Sequence, residues 1–200
     1  MFSLSLIRHG ATEANLRKEY LGSRDLSLAE SGKEALLDKR ASLELEKPTL
    51  LLISPMKRCL ETAEIYFPDE EYKVMPEWRE RDFGPYEGKR WVDLKDQADY
   101  RLWIDSAGAQ GPEGMESLEA FQTRIQEGWD KLWQWMKTVK DKNTTEPLRI
   151  VAIIHGGSIM EIMRLLRPED DYYRYQLGNG GVLELIYDCA GEWEVGNWYV

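Results

Sequence analysis

Apolar positions along this chain fall into two rhythms. Short, nearly unbroken apolar runs occupy 2–8, 50–54, 150–155, 182–187 and 193–200. Runs of that length, bounded by polar residues, glycine or proline, predict buried strands. Between them the period lengthens. Leu118, Phe121, Ile125, Trp129, Leu132, Trp133 and Met136 recur at three and four residues, which predicts the longest helix over 117–139 with both tryptophans on its apolar stripe. Ser27-Leu28-Ala29-Glu30 has the spacing of a capping box and predicts a helix from there through about Leu43. Ser54-Pro55 sets a cap residue before a first-turn proline, predicting a helix from Pro55 to about Tyr66.

Strands that alternate with helices predict an α/β fold, a three-layer sandwich whose mostly parallel central sheet is flanked by helices. The last two runs, joined by Asp188-Cys189-Ala190-Gly191, predict an antiparallel hairpin at one end of that sheet. Two hundred residues without internal repeats suit one domain over 1–200. Residues 82–115 are rich in glycine and aromatics and have no clean period. They predict an insertion of short helices and loops over the carboxyl edge of the sheet, with Trp91, Tyr100 and Trp103 either packing its own small core or lining a substrate cleft.

Charge narrows the partners. Twenty-six Lys and Arg against 36 Asp and Glu leave a net charge of −10. Nucleic acid and anionic membrane are poor partners for that balance, because phosphate backbones are held by basic stripes. A small anionic substrate remains compatible if a local arginine pocket overrides the global field. Cys59 and Cys189 are the only cysteines, which excludes a disulfide framework and suits a reducing compartment. The first residues lack a charged leader pattern, and their apolar stretch is broken by Arg8, so a cytoplasmic protein is expected. Asn143-Thr144-Thr145 then reads as a polar loop. Trp193, Trp198 and Val200 suit either a homodimer interface or a cover for the sheet edge.

The chemistry gathers where the apolar runs stop. The chain has only two histidines, His9 and His155, and each ends a strand-like run and is followed by glycine. A strand that ends in this way delivers its last side chain to the carboxyl edge, where open α/β sheets bind ligands. His9 follows Arg8, and Thr12 and Asn15 come at spacings that can turn back to the same point. Arg58 lies one turn into a helix whose amino end faces that edge, and His155-Gly156-Gly157-Ser158 leads from strand to helix, again with free amides. Trp78 to Gly88 sets the carboxylate of Glu80 among arginines. Gly32-Lys33 is no phosphate loop, since Glu34 stands where Ser or Thr is needed and position 27 is not glycine.

In this order the segments resemble the histidine phosphatase superfamily, the phosphoglycerate mutase-like enzymes. The resemblance rests on Arg8-His9-Gly10 through Asn15, on Ser54-Pro55 through Ala63, on Glu80 four residues before Gly84 with Glu87-Gly88 following, and on Gly114-Met115-Glu116-Ser117. Ser27 and Glu34 depart from the proline and glutamine common there. The resemblance implies a phosphoglycerate mutase-like fold and a metal-independent phosphatase that acts on a small phosphorylated metabolite without a cofactor. It implies His9 as nucleophile and Glu80 as general acid, with Arg8, Asn15, Arg58, His155 and Gly156 around the phosphate. A phosphoglycerate mutase is the alternative reading, although mutases of the family are usually longer. Within the phosphatases, α-ribazole-5'-phosphate is a specific candidate substrate beside phosphoserine and sugar phosphates. A phosphoprotein-binding module without turnover would not need both a nucleophile and an acid.

Overall fold

The computed structural model describes residues 2–43, 45–140, 148–187 and 193–199. The predicted turn at 188–191, Cys189, Asn143 to Thr145 and Val200 lie outside the described residues. Six strands form one sheet: β1 (Phe2–Arg8), β2 (Leu50–Ile53), β3 (Tyr72–Val74), β4 (Leu148–Ile154), β5 (Val182–Tyr187) and β6 (Trp193–Tyr199). Their order is β3-β2-β4-β1-β5-β6. The first four neighbours run parallel, β5 is antiparallel to β1, and β6 is antiparallel to β5.

The helices are α1 (Glu13–Leu16), α2 (Glu30–Ser42), α3 (Lys57–Tyr66), α4 (Trp91–Leu94), α5 (Ala98–Asp105), α6 (Leu118–Lys140) and α7 (Gly156–Leu166). They explain why the central runs are apolar without alternation: both faces of β2 and β4 are covered, as parallel strands require. One face packs Leu4, Leu52, Ile150 and Ile154 against Phe121, Ile125 and Trp129 of α6 and Ile159 and Ile162 of α7. The other packs Ile7, Leu51, Ile53 and Ile153 against Leu36 of α2 and Cys59, Ala63 and Tyr66 of α3. The result is the predicted three layers. A separate aromatic cluster, Tyr86, Leu94, Tyr100 and Trp103, holds α4 and α5 together, whereas Trp91 is exposed.

Two helix starts differ from the sequence reading. α2 begins at Glu30, with Ala29 in the capping position and no side-chain cap. Tertiary pairing wins there: Leu28 bridges Thr12, its amide donates to Glu61, and the Ala29 amide donates to the Ala11 carbonyl. That pairing keeps 28–29 extended. α3 begins at Lys57 rather than Pro55. Its first free amide donates 2.7 Å to Asp25, a residue from a distant loop, and Ser54 is diverted to the site. Strand β3 has no apolar run to reveal it, because all three of its residues are exposed at the sheet's edge.

Candidate active site

Four sheet connections deliver the site. β1 ends at Arg8 and β4 at Ile154, in register with each other, so His9 and His155 leave neighbouring parallel strands at the same edge. Their rings stand edge to face with centroids 5.2 Å apart. His9 retains 4% exposure and His155 none.

The imidazole of His9 faces its own turn: Nδ1 lies 2.7 Å from the Gly10 carbonyl. A carbonyl can only accept, so Nδ1 carries the proton and Nε2 keeps its lone pair. Burial holds this imidazole well below its usual value, and the guanidinium groups of Arg58 and Arg8 push it further. Gly10 fixes the turn. Its amide donates 3.0 Å to Thr62, and a Cβ there would stand 2.5 Å from Leu36.

Arg58 is fully buried yet completely placed by the protein. Its Nη1 donates to the Arg24 carbonyl at 2.9 Å, its Nη2 to the Gly22 carbonyl at 2.8 Å, and its Nε to His155 Nδ1 at 3.3 Å. The last contact makes Nδ1 an acceptor, so His155 Nε2 donates to Ser54 Oγ at 2.7 Å. Both nitrogens of His155 are thus engaged with protein partners. The sequence reading sets His155 as a donor beside the phosphate. Burial, then Arg58, then His9 hold His155 well below the usual imidazole value. The loop that holds Arg58 is itself anchored by Glu87, whose carboxylate accepts from the amides of Gly22, Ser23 and Phe83.

Arg8 reaches the same place from β1. Its Nη1 donates to the Leu177 carbonyl, and its Nε is buried without a protein partner. A Cβ on Gly156 would lie 3.5 Å from that nitrogen, which sets the start of α7 beside Arg8. The next amide along, Gly157 N–H, donates to Glu80 Oε2 at 2.9 Å, while Glu80 Oε1 accepts from the Arg81 amide. Burial raises the Glu80 carboxyl above its usual value. The two amides, Arg58 and Arg8 oppose that shift without cancelling it. Asn15 lies on the turn after His9, but its carboxamide oxygen accepts from Thr12 N and Thr12 Oγ1 and so caps α1. Asn179 closes the floor, donating to the His9 carbonyl at 3.0 Å.

A cavity of about 380 Å³ opens in front of Glu80, lined among others by Ser23, Met56, Arg79, Asp82, Met115 and Arg124. Among the described residues, no three His, Cys, Asp or Glu side chains gather as a metal site, and no helix is long and apolar enough to cross a membrane.

The whole arrangement can be compared with known proteins. The family model of the histidine phosphatase superfamily (branch 1) matches residues 4–200. The chain belongs to the histidine phosphatase superfamily. It is 30% identical to the adenosylcobalamin/alpha-ribazole phosphatase of Escherichia coli K12 over 62% of this chain and 63% of that protein. To phosphoserine phosphatase 1 of Hydrogenobacter thermophilus it is 28% identical over 74% of each. The alpha-ribazole phosphatase of Shigella flexneri superposes over all of this chain and 96% of the other with a TM-score of 0.82 at 22% identity, so the two share the fold.

Sequence motifs pointed to the charged groups but not to what holds them. Glu87 and Glu116 lie in quoted motifs that gave them no role, and Gly22, Arg24, Arg124 and Asn179 lie in none; all six act through backbone contacts that close only in three dimensions. Arg124 left one trace. It stands three residues after Phe121 on the apolar stripe of α6, an unusual place for a guanidinium, and lies over that ring at 4.8 Å.

Proposed function

We propose that this member of the superfamily is a metal-independent phosphomonoesterase that hydrolyses a small phosphorylated metabolite through a phosphohistidine. The observation that carries the reading is the Nδ1 contact of His9 with the Gly10 carbonyl, which leaves Nε2 unprotonated beside two buried guanidinium groups. In this account Nε2 attacks phosphorus, and the bond from phosphorus to the ester oxygen breaks. The protonated Glu80 carboxyl gives its proton to the departing alkoxide. Glu80, now a carboxylate, takes a proton from water as that water's oxygen attacks phosphorus. The phosphorus–nitrogen bond breaks and neutral His9 returns.

Arg8 and Arg58 neutralise the equatorial oxygens with charge-assisted hydrogen bonds, strongest where charge grows. The unpartnered Arg8 Nε and the orphan amide of Gly156 suit this role. His155 supports the reading as the group that fixes Arg58, whose Nε in turn fixes the imidazole tautomer and leaves Nε2 to donate to Ser54. Asn15 supports it by holding the turn that carries His9. The cavity in front of Glu80 then takes the leaving group, and its polar lining suits a hydroxylated metabolite.

The test is incubation with phosphoserine, α-ribazole 5'-phosphate and 3-phosphoglycerate, each with and without EDTA. We expect inorganic phosphate from at least one ester, at a rate that chelator leaves unchanged. Chelator-sensitive release, or isomerisation of 3-phosphoglycerate without release, contradicts the reading.

A further inference from the structure

We propose that Arg124, which no motif contains, and Glu116, whose motif carried no role, are positioning residues that hold the Glu80 carboxyl where the leaving group must receive its proton. The proposal rests on the phosphatase reading above. Glu80 sits on an irregular stretch between the short 3₁₀ turn at Pro76–Trp78 and the turn at Gly84–Tyr86. No strand or α-helix hydrogen bonding fixes that stretch, so its placement rests largely on contacts with side chains of other elements.

One guanidinium supplies three of the contacts, beside the two that Ser158 Oγ donates to the carbonyls of Trp78 and Arg79 at 3.1 Å. Arg124 Nη1 donates to the carbonyls of Glu77 and Arg79 at 2.8 and 2.6 Å, and Nη2 donates to the carbonyl of Glu80 itself at 2.9 Å. The remaining donors fork onto Glu116, Nε to Oε1 at 2.7 Å and Nη2 to Oε2 at 2.8 Å. Three carbonyl contacts within residues 77–80 leave that backbone little freedom. Glu116 then grips the other side. Its Oε2 accepts from the Asp82 amide, its own amide donates to the Asp82 carbonyl, and its carbonyl accepts from Arg81 Nε. The pair is largely shielded, with side-chain exposures of 14% and 18%, so solvent competes weakly for these bonds. Both residues line the cavity in front of Glu80.

A guanidinium is suited to this task and an ammonium is not. Five donors in one rigid plane can serve three carbonyls and a carboxylate at once, whereas lysine offers a single point charge. Glu116 orients that plane by accepting two parallel donors. The proposed action is therefore indirect: neither residue touches the reacting atoms.

The test compares esters that differ in their need for an acid. Dinitrophenolate leaves without a proton, and the alkoxide of β-glycerol phosphate does not. The quantity to measure is the ratio of kcat/KM for the alkyl ester to that for dinitrophenyl phosphate, across Arg124→Met, Arg124→Lys, Glu116→Gln, Glu80→Gln and the Glu80→Gln/Arg124→Met double variant. Misplacing a general acid forfeits part of its hundredfold or larger contribution, so Arg124→Met should lower the ratio at least about tenfold. Lysine should recover little of it. In the Glu80→Gln background, Arg124→Met should change the ratio by less than about twofold, because residues that act as a unit are not additive. Glu116→Gln keeps the shape and removes the charge, so it reads the same effect if the methionine variant folds poorly. Equal losses on both esters, or full additivity with Glu80→Gln, overturn the proposal while leaving the phosphatase reading intact. A wild-type protein that hydrolyses neither ester overturns both.

Discussion

At the scale of single residues, the site is governed by what each polar atom has already been given. His9 is useful because one nitrogen is bound and the other is not. In the proposed mechanism Arg58 is useful because three of its donors are fixed to Gly22, Arg24 and His155, so binding of a phosphate would cost little further ordering. The two glycines after His155 make this residue-level reading testable. A Cβ on Gly157 would fall 2.2 Å from Glu80 Oε1, whereas one on Gly156 meets nothing closer than Arg8 Nε at 3.5 Å. Gly157→Ala should therefore expel the acid and lower kcat for alkyl phosphates by about tenfold or more, in keeping with the value of a positioned acid. Gly156→Ala should stay within about threefold, the response of an ordinary van der Waals contact. Steady-state kinetics on the two purified variants decides it, and the reverse ranking would sink the placement of Glu80.

At the scale of elements, what could be read from the chain divides along a physical line. β1 and β5 match their predicted limits, and α6 and β4 fall within two residues, because continuous burial or a long stripe leaves a periodic trace. The elements that differ are those whose boundary is set by a distant partner. Ser27 and Ser54 have the right chemistry to cap, yet Asp25 takes the α3 amide and the bridge from Leu28 to Thr12 keeps the start of α2 extended. Local propensity lost to tertiary contacts of greater worth. Strand β3 shows the converse, since parallel pairing with β2 holds an exposed tripeptide that carries no hydrophobic signal. The clamp from α6 to the Glu80 stretch belongs to this second kind. The placement of Arg124 beside Phe121 and the motif that contains Glu116 hinted at it.

At the scale of the whole molecule, a chain of net charge −10 builds a small cationic pocket and keeps two neutral imidazoles inside it. This has a cost in stability that pH should reveal. Both histidines titrate lower when folded than when unfolded. Above the unfolded value near 6.5 both states hold neutral rings and neither gains. As pH falls below about 6.5 the unfolded chain takes up protons that the folded one refuses, so stability declines toward the depressed folded values. Glu80 has the opposite sign. Its folded carboxyl titrates high, so its contribution is present below the unfolded carboxylate value and is lost as pH rises through the folded one. Urea midpoints should therefore fall between pH 7 and 5 in the wild type, less steeply in His155→Gln, and Glu80→Gln should be more stable than wild type at pH 7. A midpoint that rises on acidification through that window contradicts the assignment of two neutral rings.

The charged groups were legible from their motifs, while the reacting atom of the proposed mechanism, His9 Nε2, is chosen by the tautomer that the Gly10 carbonyl imposes. The most direct measurement of that claim is a millisecond acid-free quench of the protein with a turned-over phosphomonoester, followed by site mapping of the phosphoenzyme by mass spectrometry. The account predicts one phosphate, on His9 Nε2, stable to alkali and lost in acid, and absent from His9→Ala. Phosphate found on any other residue, or full turnover by His9→Ala, would contradict it.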